Sequence, residues 1–532
     1  MPTFDLVTEP WVPCLMTNGH LVERSLLDVL TAPQNVREIV DPSPLVTVAL
    51  HRVLLAILHT ALDGPHDEDE WATWWEVGCW PVGPVRQYLQ RWQHRFDLFD
   101  PDRPFYQHPD LDRRYLAESA RLATELASSF NAPLLFDHSD PAQVALSPAA
   151  AARYLVAYQA FSTGGLLSGR TPADRASKAA PLCTVAVCLG KGDNLAQTLL
   201  LNLVGRRFLV SSYQPPIGTG TPDQPAWERP DPPSDQPRWP TGYRDYLTWQ
   251  ARRVLLVPET RDGRVVVRQA VIMRGESFPD GFEQRQLETM VPFRKDSKRG
   301  WLALAFREDR ALWRDSLALI QTVSTGSDEQ QRPRIVDWWA SLYRLGILQV
   351  PVLPLDVAGF VPDQAKPLFW RYERFPLPLS VIDNQEVLLW IRQLLEMAET
   401  AARSLVEVLL GLATALGIGE KQRHSIGEKQ RHSFVTGLGV ERVFWAALEP
   451  TFYTLFHRLS RGEPPLAVCA DWRTVVQRSA QRAFEQAALA LQRAGRPILL
   501  VADAESRLHA KLARITCGAA PTVSSGSEEV GE

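Results

Sequence analysis

Three stretches of the chain carry residue types whose spacing suits contact with a polyanion. The first is Ala160-Phe-Ser-Thr-Gly-Gly-Leu-Leu-Ser-Gly-Arg170. Small residues dominate it, and a backbone without bulky side chains can bring its amides close to another backbone, a base edge or a phosphate. The same pattern also suits a plain glycine turn. The second, Gly359 to Arg374, sets Lys366, Arg371 and Arg374 among Phe369, Trp370 and Tyr372. Interleaved cations and aromatics serve phosphate neutralisation and base stacking, and equally an amphipathic strand that turns its aromatics into a core. The third is charge. The run Arg294-Lys-Asp-Ser-Lys-Arg299 is one case, and Arg507, Lys511 and Arg514 fall on one helix face by their spacing. Such a triplet is either a solvated face or a surface laid against a nucleic-acid backbone.

Signatures of catalysis are missing by comparison. Gly190-Lys191-Gly192 lacks both the preceding glycine and the following hydroxyl of a phosphate-binding P-loop. Neither H-E-x-x-H nor G-x-S-x-G occurs. His66-Asp67 lies in the acidic stretch GPHDEDE with no partner pattern, so it reads as a solvated loop. The six cysteines, Cys14, Cys79, Cys183, Cys188, Cys469 and Cys517, offer one close pair and no second pair to complete a zinc site. They read as reduced, buried thiols. No metal and no cofactor is expected.

The elements that must position these stretches fall into two regions, an α+β arrangement. Residues 1–380 read as a large mixed α/β domain. Leu6 to Leu15 is extended, Asn18-Gly19 marks a hairpin turn, and Leu45 to Leu62 and Pro84 to Phe96 are helical. Trp71, Trp74, Trp75 and Trp80 form an aromatic cluster of the kind that fills cores. Residues 214–242 are so rich in proline that neither a helix nor an inner strand is expected. Tyr246 to Val257 and Arg264 to Met273 read as paired strands joined at Asp262-Gly263. From 381 to 517 the pattern is helical only, with apolar stripes near 391–412, 435–459, 474–494 and 499–515, which predicts an antiparallel four-helix bundle. Two identical copies of IGEKQRHS, 418–425 and 426–433, stand between the first two helices and read as an exposed loop. The polar tail 518–532 reads as disordered.

Composition narrows the function. With 57 Lys and Arg against 61 Asp and Glu, the net charge is −4, which excludes a globally basic nucleic-acid binder but not local patches. No uncharged apolar run is long enough to span a membrane. The N-terminal segment MPTFDLVTEPWVP is not patterned as a secretion leader, so a cytoplasmic location and no membrane partner are expected.

Several segments carry a resemblance. Phe4-Asp-Leu-Val-Thr-Glu-Pro-Trp-Val-Pro13, Ser25 to Leu30, Arg52 to His59, Arg95 to Gln107, Asp245-Tyr-Leu-Thr-Trp-Gln-Ala-Arg-Arg253 and Gly359 to Gln364 stand in the order and spacing of the CasA family. The chain therefore resembles, over nearly its whole length, the large subunits of the type I-E CRISPR interference complex Cascade. The resemblance implies a non-catalytic subunit that sits at the 5′ handle of the guide CRISPR RNA beside other Cascade subunits. It implies recognition of the protospacer-adjacent motif (PAM) in duplex DNA from the minor groove, opening of the duplex, support of the R-loop, and a docking surface for a separate helicase–nuclease.

By the same resemblance, Ser162, Thr163, Gly164 and Gly165 form the groove-reading loop, and Gln364, with Asp363 beside it, is the wedge driven into the first target base pair. Arg274 is the basic finger. Asn131 and Phe136, in the segment from about Phe130 to Asp140, reach the guide handle. Lys366, Arg371, Arg507, Lys511 and Arg514 are candidates for the DNA backbone. The alternatives are a scaffold subunit without sequence-specific DNA contacts and a metal-dependent nuclease.

Overall fold

The computed structural model describes residues 2–123, 144–167, 175–210, 213, 222–323, 329–363, 366–419 and 424–518. The chain divides into two compact units, Met1–Glu308 with Thr322–Leu377, and Asp309–Gln321 with Pro378–Glu532.

The first unit is built around the helix Pro44–Ala61. Pro44 opens it, where a missing N–H is harmless. Nearly every residue from Leu45 to His59 is buried, whichever way it faces. By length and composition alone the helix could cross a membrane, but an all-round apolar helix is also what the middle of a large core requires. Helices Val82–Trp92, Pro148–Phe161, Leu195–Asn202 and Tyr243–Leu247 and the strand Val352–Asp363 pack against it. Arg52 is the one cation inside this helix, and its Nη1 donates to Glu288 Oε2 at 3.0 Å; their side chains are 4% and 0% exposed. The Tyr246 hydroxyl donates to the same oxygen at 2.9 Å, and the Met290 amide donates to Oε1 at 2.8 Å.

Small antiparallel sheets surround that core. Val12–Met16 lies between Leu21–Arg24 and Val36–Ile39, and the hairpin turn falls at Asn18-Gly19 as the sequence indicates. Arg264–Arg274 lies between Leu116–Glu118 and Arg252–Arg261. Its turn, Asp262-Gly263, has φ of 49° and 74°, the left-handed pair that a tight hairpin needs. The first of these strands starts later than its alternation suggests. Tyr243–Leu247 is a helical turn instead, with the buried Asp245 carboxylate receiving Arg238 and the Thr241 amide. Val352–Asp363 lies between Lys366–Pro378 and Val187–Gly190. The proline-rich stretch has no helix or strand in its described part, 222–242, yet it is packed. Trp227 is buried against Phe96, Phe105 and Tyr106, and its indole N–H donates to Tyr88 Oη at 2.6 Å. Of the tryptophan cluster, Trp71, Trp74 and Trp80 are buried, and Trp75 stacks on Trp71 at 5.0 Å.

The second unit is helical. Gln385–Ala415, Val440–Ser460, Pro465–Arg493 and Ile498–Ala513 pack as a bundle, with the first touching each of the others. The segment Asp309–Gln321 joins them through Trp313, which is fully buried and lies 4.7 Å from Phe452 and 6.3 Å from Trp472. Arg310 and Arg314 beside it both pair with Glu399 of the first long helix. The duplicated octapeptide is not simply a loop. Its second copy lies in a further helix, His424–Gly437, which begins with the last two residues of the first copy, and Ile418 and Gly419 lie in a turn. The two repeat glycines meet: a Cβ on Gly427 would stand 2.5 Å from the Gly419 carbonyl oxygen. Residues 519–532 of the tail lie outside the described residues.

Two predictions follow from this core. Arg52→Met leaves the Glu288 carboxylate buried and unpaired, and costs about 3–5 kcal/mol in urea unfolding, whereas the double change Arg52→Met with Glu288→Leu recovers much of that loss. Equal losses in the single and double variants contradict it. The second concerns His51 and His59. Burial pushes both imidazoles down from 6.5 to about 3. Between those values the unfolded chain binds protons that the folded chain refuses, so stability falls as pH drops below about 6.5, by up to about 1.4 kcal/mol per pH unit for each ring. The melting temperature is expected to decline between pH 7 and pH 5, and the decline to flatten when both are replaced by Gln. Parallel curves for wild type and variant count against the histidines.

Candidate nucleic-acid interface

The small-residue loop begins where the helix Pro148–Phe161 ends. Ser162 turns the chain to extended backbone, and its N–H still donates to Tyr158 O. From there the chain runs beside residues 176–182. Leu182 N donates to Ala160 O and Ala180 N to Ser162 O, both at 2.9 Å, and Gly165–Leu166 pairs antiparallel with Ala176–Ser177. The two glycines are needed for different reasons. A Cβ on Gly164 would lie 3.1 Å from Ala179 N and 3.3 Å from Ser177 O, so the two rails of this ribbon are in close contact. Gly165 has φ of 147°, which side chains disfavour. Ser162 is buried, while Gly165 and Leu166 are exposed. Along this ribbon Leu166 on one rail and Arg175, Ala176 and Lys178 on the other are exposed.

Behind it stands Arg252, the first residue of the strand Arg252–Arg261. Its Nη2 donates to Thr163 O at 2.7 Å and its Nη1 to Lys178 O at 3.0 Å. The Gln159 side chain holds Arg252's own backbone, accepting from its N–H and donating to its carbonyl, each at 2.9 Å. Across the ladder Arg252 faces Arg274. Gly275 then passes so close that a Cβ there would stand 2.6 Å from Arg252 N.

The structure places Arg274 on a partner of its own. Its Nε and Nη2 donate to Asp235 O at 3.1 and 2.6 Å, and Arg253 donates to the Arg274 carbonyl and the Asp235 carboxylate. Sequence reasoning missed a nearer cation, Lys178. It follows the ribbon strand, its side chain is 62% exposed, and its Nζ lies 3.7 Å from the exposed Asp280 carboxylate. Ala-Ser-Lys-Ala-Ala carries no signal by itself; only the pairing of Gly165 with Ser177 brings this lysine to the loop.

The second stretch is joined to the first through aromatic packing. Phe161, just before the loop, meets Phe360 edge-on at 6.5 Å. Gly359 beside it passes so close to Val185 that a Cβ would lie 2.2 Å from its carbonyl oxygen. Asp363 ends one strand and Lys366 begins the next, with Gln364 outside the described residues. Arg371 donates to Arg307 O and Glu308 O, and Arg374 pairs with Asp356 at 2.6 Å. The aromatics divide: Phe375 is buried, while Trp370 and Tyr372 are 40% and 47% exposed. The Tyr372 hydroxyl bonds Asp356.

Other sequence features resolve as follows. In the bundle, Arg507 pairs with Asp503 and Lys511 with Glu407, and Arg514 caps the last helix on its exposed side. Asn131 and Phe136 lie outside the described residues. Gly190-Lys191-Gly192 is structural: Cβ atoms at the two glycines would strike Trp339 and Gln197, and the buried lysine reaches Glu38 at 3.3 Å. His66-Asp67 is a solvated bend, as expected, and it also caps the helix that follows. Asp67 accepts from Glu70 N, and the Glu70 carboxylate accepts from His66 N.

Residues 5–490 match the model of the family described as CRISPR-associated protein Cse1. CRISPR-associated protein CasA/Cse1 of Thermus thermophilus is 34% identical over 508 residues, 91% of this chain and 92% of that protein. Among solved structures, Thermus thermophilus CasA has a TM-score of 0.78 at 30% identity, covering 96% of this chain and all of that one. Cse1 of Thermobifida fusca has a TM-score of 0.77 at 26% identity, covering 96% of this chain and 98% of that one. A chain from a CRISPR RNA-guided surveillance complex has the same fold, with a TM-score of 0.75 at 22% identity. Family model, sequence relative and fold agree over almost the full length, and the chain belongs to the CasA/Cse1 family of CRISPR-associated proteins.

Proposed function

We propose that this chain is the large subunit of a type I-E CRISPR RNA-guided surveillance complex, that it has no catalytic activity of its own, and that it reads the PAM in duplex DNA from the minor groove. One observation carries the reading: a small-residue ribbon in which the half-buried Gly164 leads into the exposed Gly165 and Leu166, fixed from behind and flanked by Lys178. The minor groove is narrow and its donor and acceptor code is degenerate, so a thin, small-residue backbone gives loose discrimination there. Gln364, with Asp363 beside it, then serves as the wedge. A polar side chain in the first target pair replaces part of the lost pairing, and the guide heteroduplex offsets the rest.

Asn131 and Phe136 contact the guide handle, one by hydrogen bonding and one by stacking. Other Cascade subunits and the guide RNA supply most of the affinity, in keeping with a net charge of −4. A helicase–nuclease docks after the R-loop forms.

A scaffold role has one observation in its favour. Arg274, Arg371, Arg374, Arg507 and Lys511 all have partners within the chain. The cations that composition alone would assign to DNA are thus mostly engaged, which leaves the ribbon and Gln364 as the features a scaffold does not need.

The test is a target-DNA titration of the guide-loaded partner complex with and without this chain. It uses two duplexes differing only in the PAM, at one salt concentration. Wild type is expected to confer PAM-dependent binding, and Gln364→Ala to keep the PAM preference while impairing strand opening. Binding that ignores the PAM returns the scaffold reading to first place. Turnover of DNA by the isolated chain with Mg²⁺ or Mn²⁺ contradicts the non-catalytic assignment.

A further inference from the structure

Arg252 is 1% exposed. A buried guanidinium ordinarily has a carboxylate, because an unpaired charge away from water is costly. Among the described residues Arg252 has none in an ion pair. Burial lowers its pKa from the usual arginine value, and the groups opposing that shift are the Tyr158 phenol and the Cys183 thiol. Its Nε has no hydrogen-bond partner. What it has is carbonyl oxygens, those of Thr163, Lys178 and Ala251. Thr163 and Lys178 belong to opposite rails of the ribbon, and Gly164 lies against Lys178, its Cβ position 3.6 Å from the Lys178 carbonyl carbon. One planar fork thus ties both rails. An apolar side chain could fill the same space without the desolvation penalty, but it could not hold two carbonyls.

Arg252 is itself held on both sides. Gln159, in the helix that leads into the loop, takes its N–H and its carbonyl, and its ladder partner is Arg274, followed by the close passage of Gly275. We propose that Arg252 is the positioning residue of the groove-reading ribbon, fixing Ser162–Gly165 relative to the Arg274 strand and thereby setting how sharply the PAM is discriminated. This rests on the reading of that loop given above. Loops built from small residues have no side chains with which to anchor themselves, so rigidity must come from a neighbour. A guanidinium directly behind the ribbon also places positive charge toward a polyanion without exposing it to competing carboxylates.

The experiment uses the reconstituted guide-loaded complex containing wild type, Arg252→Met, Arg252→Lys or Gly165→Val. Dissociation constants are measured for the PAM-bearing and PAM-mismatched duplexes, together with incorporation into the complex and melting temperature. Arg252→Met is expected to lower the ratio of the two constants about tenfold, the scale of one charge-assisted hydrogen bond. Affinity for the mismatched duplex and incorporation stay near wild type, and Arg252→Lys restores part of the ratio. A purely structural role would weaken both duplexes equally, and that result overturns the proposal. If Arg252→Met does not assemble, Arg252→Lys decides. It keeps the charge but cannot hold both carbonyls, so an undiminished ratio for Lys overturns the proposal. Loss of discrimination in Gly165→Val with Arg252→Met intact overturns this inference and leaves the loop reading standing. A wild type that ignores the PAM removes both.

Discussion

One helix, Pro44–Ala61, is buried on every side, and the first unit is laid around it. That creates a constraint. A charged group in this helix must be satisfied by an element far away in sequence, because most of its neighbours are apolar. Arg52 is that group, and Glu288 satisfies it, with Tyr246 and the Met290 amide taking up the remaining capacity of the carboxylate. The pair does more than neutralise a charge. It fixes the segment 284–290 and the helical turn Tyr243–Leu247 against the core helix, and the strand that begins at Arg252 follows directly from that turn. The position of the small-residue ribbon is thus tied, through a short run of chain, to a buried ion pair.

The same run explains why a segment with no catalytic signature is so densely specified. In Asp245-Tyr-Leu-Thr-Trp-Gln-Ala-Arg-Arg253, Asp245 holds Arg238, Tyr246 holds Glu288, and Thr248 Oγ1 takes the Ala226 amide of the proline-rich stretch. Trp249 lies under the Arg238 guanidinium at 4.1 Å, Arg252 ties the ribbon, and Arg253 ties Arg274 to Asp235. Each side chain satisfies a buried or half-buried group of another element. Such residues leave no motif of the kind that marks a nucleophile or a metal site, yet they are what a backbone-reading surface requires.

This also marks what the sequence made legible. Period and turn chemistry were enough for the core helix, the Asn18-Gly19 and Asp262-Gly263 hairpins and the bundle helices, because those depend on neighbours a few residues away. The small-residue loop was visible as composition. Its rails were not, since the pairing of Gly165 with Ser177 depends on Ala180 and Leu182 returning beside the helix end. Alternation misread Tyr246 to Ala251 as strand because Asp245 turns inward to Arg238 there. The second IGEKQRHS copy read as loop because its residues are polar, but a helix that starts at His424 runs through it, with Gly427 against Gly419. Trp313 showed nothing locally of its place among Phe452 and Trp472.

Cations show the same lesson most sharply. By sequence, Arg274, Lys366, Arg371, Arg374, Arg507, Lys511 and Arg514 were charges available for phosphate. By structure Arg274, Arg371, Arg374, Arg507 and Lys511 already serve a carbonyl or a carboxylate of the same chain. Lys178, which no pattern marked, is an exposed cation beside the ribbon, with Phe278 O and Asp280 as its own partners, and Arg252, which no exposure scale would favour, ties the two rails. A subunit whose charges are mostly committed internally gains little from phosphate attraction alone. On the proposed reading, its contribution to target choice comes from shape, from where a thin backbone is held and how firmly, and that is a property of the residues behind the surface more than of those on it.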